Sequence, residues 1–202
     1  MKKLYEVYTD GACSNNQGEG GQPGGWGVAF VDGRTFSGSA AATTNNRMEM
    51  QAAIEALRNT EAGSRVKLHS DSAYLINAFT QGWLTKWQLN GWLTAQNKPV
   101  ENRDLWEELL ILAADREVEW IKVQGHSTDE MNNLADSLAV AAICEANKKE
   151  ISTAGSNNRI RVDLLPEEIA LLDQLLAEKA AQAPVEELAN VYRRLAEKLK
   201  KQ

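Results

Sequence analysis

The order of strand-like and helix-like patterns most constrains the fold of this chain. Three strand-like segments come first, and Asp32-Gly33 between the second and third is typical of a hairpin turn. Helical and strand-like patterns then alternate, which predicts an α/β fold with one five-stranded mixed sheet flanked by helices. The predicted strands are 4–9, 25–31, 34–41, 66–70 and 118–123, and the predicted helices are 45–59, 72–79, 104–115 and 130–148.

The composition changes near residue 150. The stretch Ser-Thr-Ala-Gly-Ser-Asn-Asn at 152–158 has no apolar period and is typical of a linker. Beyond it, Pro166 and Pro184 each precede a Glu-Glu pair, as at the start of a helix. Apolar residues at helical spacing follow each proline, which predicts a helical hairpin. The predicted units are a main domain at 1–149, a linker at 150–163 and a C-terminal helical hairpin at 164–202.

Acidic residues outnumber basic ones only in the first part of the chain. The 202 residues include 22 Lys and Arg against 28 Asp and Glu, a net charge of -6. Residues 1–144 have 12 basic and 18 acidic side chains, whereas 145–202 have 10 of each. This balance argues against a protein that holds nucleic acid by bulk positive charge, although a local basic track is compatible with it.

Nothing in the sequence predicts a membrane segment or a disulfide framework. The longest apolar runs are far shorter than the roughly 20 residues of a membrane helix. Residues 1–6 are not followed by the apolar stretch of a signal peptide. Cys13 and Cys144 are too far apart in sequence for a zinc-binding pattern. We therefore expect a cytoplasmic protein.

Four acidic residues stand where a mixed sheet can bring them together. Asp10 follows the first predicted strand and enters a loop with Gly11, and Asp71 ends a later strand. Glu49 lies early in the first helix, and Asp136 lies in the last helix of the main domain. Four adjacent carboxylates repel each other unless cations neutralise them, and oxygen ligands favour Mg²⁺ or Mn²⁺ over Zn²⁺. Two such ions about 4 Å apart are the usual arrangement for in-line phosphodiester hydrolysis.

Each of these carboxylates also has an ordinary structural interpretation. Asp10 suits a turn before glycine, and Asp71 suits the start of a helix. Glu49 suits the first turn of a helix, and Asp136 suits an exposed helix surface. From spacing alone, a metal site and four unrelated carboxylates both remain open.

Several specific motifs occur in order along residues 4–146. The run Thr-Thr-Asn-Asn-Arg-Met-Glu at 43–49 is the most specific of them. The others are Tyr-Thr-Asp-Gly-Ala-Cys at 8–13, Ser-Asp-Ser-Ala-Tyr at 70–74, the tryptophans at 83, 87 and 92, Lys-Pro-Val at 98–100, Asp-Leu-Trp at 104–106, Val-Gln-Gly-His at 123–126, Asn132 and Asp136. Together they resemble type 1 ribonuclease H, in which the tryptophan-rich segment is called the handle.

The resemblance implies a ribonuclease H-like fold and an endonuclease that cleaves the RNA strand of RNA/DNA hybrids. Cleavage would leave 3′-hydroxyl and 5′-phosphate ends, with little sequence preference, and would use two Mg²⁺ ions that Mn²⁺ can replace. By this match Asp10 would bridge both ions, and Asp136 would hold the ion that activates the attacking water. Glu49 and Asp71 would hold the ion at the leaving 3′-oxygen. His126 would assist proton transfer or product release.

The resemblance also implies which residues face the hybrid. Cys13 and Asn46 would lie near the RNA strand, whereas Thr44 would grip a DNA phosphate and Trp87 would line the DNA backbone. A 2′-hydroxyl both donates and accepts hydrogen bonds, so polar groups can distinguish RNA from DNA. The predicted substrate-binding residues are Gly11, Cys13, Asn15, Asn16, Thr44, Asn45, Asn46, Arg47, Trp87 and Asn132.

Three features depart from the family pattern. Residues 88–90 of the handle, Gln-Leu-Asn, are uncharged where basic residues are frequent, and Ala73 stands where glutamine is frequent. The loop at 14–24 is longer than usual, so either Asn15 or Asn16 can take the role of the family asparagine. Fewer phosphate contacts predict weaker binding and a shallower dependence on salt.

Two other functions and the role of the tail remain open. A hybrid-binding module that has lost its chemistry is one alternative, and a nuclease of the same fold acting on DNA is the other. All four carboxylates are present, which argues against the first. We expect a monomer with no membrane partner. The hairpin could instead mediate dimerisation, its basic end could supply phosphate contacts, or it could dock as a stabilising appendage.

Overall fold

The computed structural model describes residues 2–14, 22–125 and 128–154, the last eight of them by their backbone only. Five strands and five helices lie within these ranges. In chain order they are β1 Leu4–Cys13, β2 Gln22–Phe30, β3 Thr35–Thr43, α1 Asn45–Arg58, β4 Arg65–Ser70, α2 Ala73–Thr80, α3 Trp83–Leu89, α4 Arg103–Ala114, β5 Glu117–Lys122 and α5 Glu130–Ala154.

The strands form one mixed sheet in the order β3-β2-β1-β4-β5. β1, β2 and β3 are antiparallel neighbours, whereas β1, β4 and β5 run parallel. Thr9 of β1 pairs with Ser70 of β4, so the residues that follow them come to the same edge of the sheet. The predicted five-stranded α/β fold is confirmed.

Helices α1 and α5 cover opposite faces of this sheet. Asp10 and Gly27 are paired, as are Gly11 and Trp26. A Cβ on Gly11 would point into the α1 backbone, and one on Gly27 would point into α5. Successive residues of a strand face opposite sides, so the two helices lie on different layers. The main apolar core lies on the α1 side, and its largest fully buried side chains include Trp106, Phe30, Met50, Ile54 and Leu57.

Strand β1 is longer than predicted, and this changes the place of Asp10. The predicted strand ends at Thr9, but β1 continues to Cys13 and pairs with β2 as far as Gly24. The prediction that Asp10 enters a loop is therefore wrong. The glycine at position 11 favours a turn by sequence, whereas in the structure its lack of a side chain lets α1 pack closely on the strand.

Two helices also differ from the prediction. α3 was not predicted, and its first turn follows Gly82, a left-handed residue that provides no side-chain cap. α5 continues to Ala154, so residues 150–154 of the predicted linker are helical. No glycine or proline occurs in this helix before Gly155, which explains its length. The chain divides into the units Met1–Ala154 and Gly155–Gln202. The domain bounds stay a prediction, and the hairpin at 164–202 lies outside the described residues.

Candidate active site

Three carboxylates from distant parts of the sequence meet at one edge of the sheet. Asp10 comes from β1, Glu49 from α1 and Asp71 from the residue after β4. One oxygen of each lies within 4.8 Å of the other two. Asp10 and Glu49 are buried, with 8% and 5% of their surface exposed, and Asp71 is partly exposed. The structure thus brings together three of the four predicted ligands as one cluster.

Close backbone contacts set the positions of these three groups. A Cβ on Gly11 would lie 2.1 Å from the backbone nitrogen of Glu49, so only glycine lets β1 approach α1 this closely. Asp71 lies between β4 and Ser72, whose hydroxyl accepts a hydrogen bond from the Leu75 N–H and caps α2. A Cβ on Gly125 would lie 2.4 Å from Asp71 Oδ2, which brings the segment after β5 against the cluster.

The fourth carboxylate, Asp136, reaches the cluster because α5 lies directly on the sheet. A Cβ on Gly27 would lie 2.1 Å from the Ala135 carbonyl oxygen, and one on Gly25 would lie 2.2 Å from that of Ala139. Two glycines in β2 therefore remove the side chains that would hold α5 away. The Asp136 side chain lies close enough to Asp10 to raise the pKa of its carboxyl, which places α5 beside the other three carboxylates.

Burial and mutual repulsion raise the pKa values of the two inner carboxyls. The pKa of Asp10 rises to about 7, first because of burial, then because of the Asp71 charge and the hydrogen bond with Asp136. The pKa of Glu49 lies well above its usual range because of burial and the charges of Asp10 and Asp71. The ammonium of Lys122 acts in the opposite direction on Glu49. Without a cation, the Asp10 carboxyl is therefore about half protonated at pH 7.

The cluster has the chemistry of a site for a hard divalent cation. Glu49 Oε2 is buried and has no hydrogen-bond partner among the described residues. Leaving a buried carboxylate oxygen unpaired is costly, so this atom fits a ligand supplied from outside the chain. All the donors are carboxylate oxygens, which Mg²⁺ and Mn²⁺ prefer.

The start of α1 carries several of the predicted substrate-binding residues. Thr44 is exposed at the N-cap, and its hydroxyl accepts a hydrogen bond from the Arg47 N–H at 3.4 Å. Asn45 and Asn46 form the first turn of the helix. The Arg47 guanidinium instead forms an ion pair with Asp104 on α4.

Other predicted residues lie around the cluster. Gly11 packs on α1, and Cys13 is half-buried at the end of β1, with the pKa of its thiol raised by burial and by Glu49. Trp87 packs against Trp83 and Trp106. Asn132 is buried, and its Oδ1 has no partner among the described residues. Asn15, Asn16 and His126 lie outside the described residues.

The sequence analysis assigned no role to two residues, Lys122 beside the cluster and Thr43 at the end of β3. Lys122 Nζ donates hydrogen bonds to the carbonyl oxygens of Asp71 at 2.7 Å and Val123 at 3.0 Å. Thr43 is buried, and its Oγ1 has no partner within the described part of the chain. Lys122 is next to the end of the predicted strand 118–123, at the edge where the acidic residues were predicted to meet, so the sequence did contain a pattern that pointed to it. Nothing in the sequence distinguished Thr43 from its neighbour Thr44.

Comparison with known proteins identifies the family. The family model described as RNase H matches residues 2–144, which include all four carboxylates. The chain belongs to the ribonuclease H family. A ribonuclease H from Moorella thermoacetica is 53% identical over 155 residues, which are 75% of this chain and 99% of the relative. One from Symbiobacterium thermophilum is 56% identical over 140 residues, 68% of this chain and 92% of the relative.

A solved structure supports the same assignment. The crystal structure of LC9-RNase H1, described as a type 1 RNase H with the type 2 active-site motif, is 31% identical, with a TM-score of 0.64. The match covers 83% of this chain and 91% of that chain. As a family member, the chain is a nuclease, a hydrolase that cuts the RNA strand of RNA/DNA hybrids, and its family uses divalent metal ions. No helix among the described residues is long and apolar enough to cross a membrane.

Proposed function

We propose that this ribonuclease H cleaves its substrate with two Mg²⁺ ions held by Asp10, Glu49, Asp71 and Asp136, and that Mn²⁺ can replace them. The products would carry 3′-hydroxyl and 5′-phosphate ends. The observation that carries the proposal is the convergence of the carboxylates around the unpartnered Glu49 Oε2. Bound ions would lower the pKa of the attacking water and stabilise charge on the entering and leaving oxygens.

The chain's own groups prepare the site for these ions. The pKa values of Asp10 and Glu49 are raised in the metal-free protein, so a cation that binds their carboxylates competes with protons. Lys122 anchors the backbone of Asp71 and therefore limits how far this ligand can move. We propose that His126 moves a proton at the leaving 3′-oxygen or assists product release. Its neighbour Gly125 lies against Asp71, which supports this role.

We propose that the start of α1 binds the DNA strand. Thr44 offers an exposed hydroxyl there, and the N-terminus of a helix favours a phosphate. Asn45 and Asn46 add amide groups beside it, and Gly11 and Cys13 at the end of β1 would face the RNA. Contacts of this kind recognise backbone shape, so we expect little sequence preference.

A panel of duplexes tests the substrate class. With Mg²⁺, we expect cleavage of the RNA strand of an RNA/DNA hybrid of mixed sequence, and no cleavage of duplex RNA or duplex DNA of the same sequence. Gel analysis of end-labelled strands measures both the rate and the chemistry of the new ends. Cleavage of duplex DNA at a comparable rate would favour the nuclease on DNA, and binding of the hybrid without cleavage would favour the module that has lost its chemistry.

The uncharged handle gives a second testable expectation. Gln88 and Asn90 are exposed at the end of α3, beside the groove that Trp87 lines. If this surface follows the DNA backbone, Gln88→Lys or Asn90→Lys adds a phosphate contact. We expect tighter hybrid binding at low salt and a plot of log affinity against log salt that is steeper by about 0.9 per contact.

The control for these variants adds the same charge far from the site. Leu4 is 52% exposed and begins β1, six residues before Asp10. Leu4→Lys should leave the slope unchanged. Handle variants that behave like Leu4→Lys would mean that the handle does not follow the DNA backbone.

Location and assembly stay predictions. A cytoplasmic monomer is compatible with Cys13 and Cys144, which are both free thiols. Size-exclusion chromatography with light scattering tests the oligomeric state. A dimer would favour the alternative in which the segment 164–202 joins two chains.

A further inference from the structure

The Arg47 side chain is engaged within the protein, although it is one of the predicted substrate-binding residues. Its Nη1 donates to Asp104 Oδ1 at 3.0 Å, and its Nη2 donates to Asp104 Oδ2 at 2.6 Å. Nη1 also donates to Asn102 Oδ1 at 3.3 Å. A guanidinium that binds a carboxylate with two parallel hydrogen bonds has a fixed orientation. Two of its three nitrogens are therefore already in use.

This ion pair joins the first turn of α1 to the start of α4. On the α1 side, the backbone N–H of Arg47 is the group that Thr44 caps. On the α4 side, Asn102 is left-handed, with a φ of 57°, and offers no side-chain cap to its own helix. The side chain of Asn102 is instead available to Arg47. At the first turn of α1, the hydrogen bonds to the start of α4 come from Arg47, and at the other end of α1 Arg58 donates a hydrogen bond to Glu108 of α4.

The start of α4 is in turn attached to the handle. The Val100 N–H donates to the Trp92 carbonyl oxygen at 2.9 Å. The Arg103 guanidinium lies over the Trp92 ring, 5.3 Å from its centre. A continuous set of contacts therefore runs from the cap of α1 through Asp104 to the handle.

We infer that Arg47 and Asp104 are a positioning pair, which fixes the first turn of α1 relative to the handle and does not itself bind phosphate. The inference rests on the proposed function, in which Thr44 and Trp87 both lie along the DNA strand. The phosphates of a duplex are regularly spaced, so two contact groups on separate elements bind well only when their spacing is held. Loss of the pair therefore weakens binding of the hybrid while both contact groups are still present.

The pair is too exposed to contribute much to folding stability, so a positioning role can be distinguished from a stabilising one. The side chains of Arg47 and Asp104 are 36% and 60% exposed. Ion pairs this exposed contribute little to folding stability. We therefore expect loss of the pair to raise KM for the hybrid and to leave the fold and kcat nearly unchanged.

Substitution of Asp104 gives opposite results for the two possible roles of Arg47. If the pair positions α1, Asp104→Asn raises KM for the hybrid about three- to fivefold, the size expected for loss of one well-formed ion pair. If Arg47 binds phosphate, Asp104→Asn frees its guanidinium and removes a negative charge, so KM falls. Glu107→Gln is the matched control, because Glu107 is on the same helix, forms an exposed pair with Arg103 and loses the same charge.

Arg47 variants and the double variant complete the test. Arg47→Lys keeps the charge but not the two parallel hydrogen bonds, so a positioning role predicts that it raises KM as much as Arg47→Gln. The double variant Arg47→Gln/Asp104→Asn should be no worse than either single variant, with an unchanged salt slope.

Cleavage of the hybrid by the wild type tests the proposed function. The differences in KM among the variants test the positioning pair, so the two proposals can fail independently. The inference is overturned if Asp104→Asn lowers KM or acts like Glu107→Gln. A salt slope that Arg47→Gln makes shallower by about one unit would overturn it as well.

Discussion

Asp10→Asn should abolish metal-dependent cleavage of the hybrid while the chain remains folded. Asp10 is the proposed central ligand, since one of its oxygens lies within 4.8 Å of the Glu49 and Asp71 oxygens and Asp136 raises its pKa. Loss of the several kcal/mol that bound ions supply to the transition state corresponds to a fall of about 10³-fold or more in rate. Initial rates at saturating Mg²⁺ measure the loss, and circular dichroism measures the fold.

A second Asp→Asn substitution controls for the change in charge. Asp32 is in the β2–β3 hairpin and pairs with Arg34 on the surface, away from the cluster. Asp32→Asn should therefore retain the wild-type rate. If Asp10→Asn keeps measurable Mg²⁺-dependent activity, the assignment of the site to this cluster is wrong.

The metal-free protein should lose stability as the pH rises from about 4 to 8. The pKa of Asp10 is raised from 3.8 to about 7, so between these values the folded state binds a proton that the unfolded state has released. This contribution to stability is fully present below pH 3.8 and is lost as the pH rises through 7. Its size is on the order of a few kcal/mol. Glu49, whose pKa is also raised, adds to it in the same direction.

Thermal unfolding in EDTA at several pH values measures this effect. Asp10→Asn removes the repulsion, so it should unfold at a higher Tm than the wild type at pH 8 without metal. Mg²⁺ should raise the wild-type Tm at pH 8 more than at pH 5, because it binds the deprotonated site of the folded state. A wild-type Tm that does not change between pH 5 and 8 in EDTA would contradict the raised pKa.

The order of the strands and the main helices could be predicted because their patterns are local. Alternation of apolar residues marks β4 and β5, and the apolar stripe of α1 follows its helical period. α3 lacks these signals, because it is seven residues long and starts at Gly82 without a side-chain cap. Trp87 holds α3 by packing against Trp106 of α4, an interaction between distant residues that a local pattern does not contain.

The sequence singles out the candidate residues of the site but not their geometry. The four carboxylates are predicted through the resemblance, and in the structure oxygens of Asp10, Glu49 and Asp71 lie within 4.8 Å of one another. Sequence patterns could not predict the contact of Arg47 with Asp104, because its partner is 57 residues further along the chain. The sequence could not predict the unpartnered Glu49 Oε2 either, since this feature depends on how α1 packs on β1.

The chain order of the four ligands has a consequence for the time at which the enzyme becomes active during synthesis. Asp10 is made first, but β4, the parallel neighbour that brings Asp71 to it, is made more than 50 residues later. Asp136 belongs to α5, the last described helix, which must leave the ribosome before it can lie on β2. A nascent chain therefore has an incomplete set of carboxylates for most of its synthesis. If these four carboxylates hold the metal ions as proposed, we expect nuclease activity only once the whole sheet and both of its faces are complete, and none from an unfinished chain.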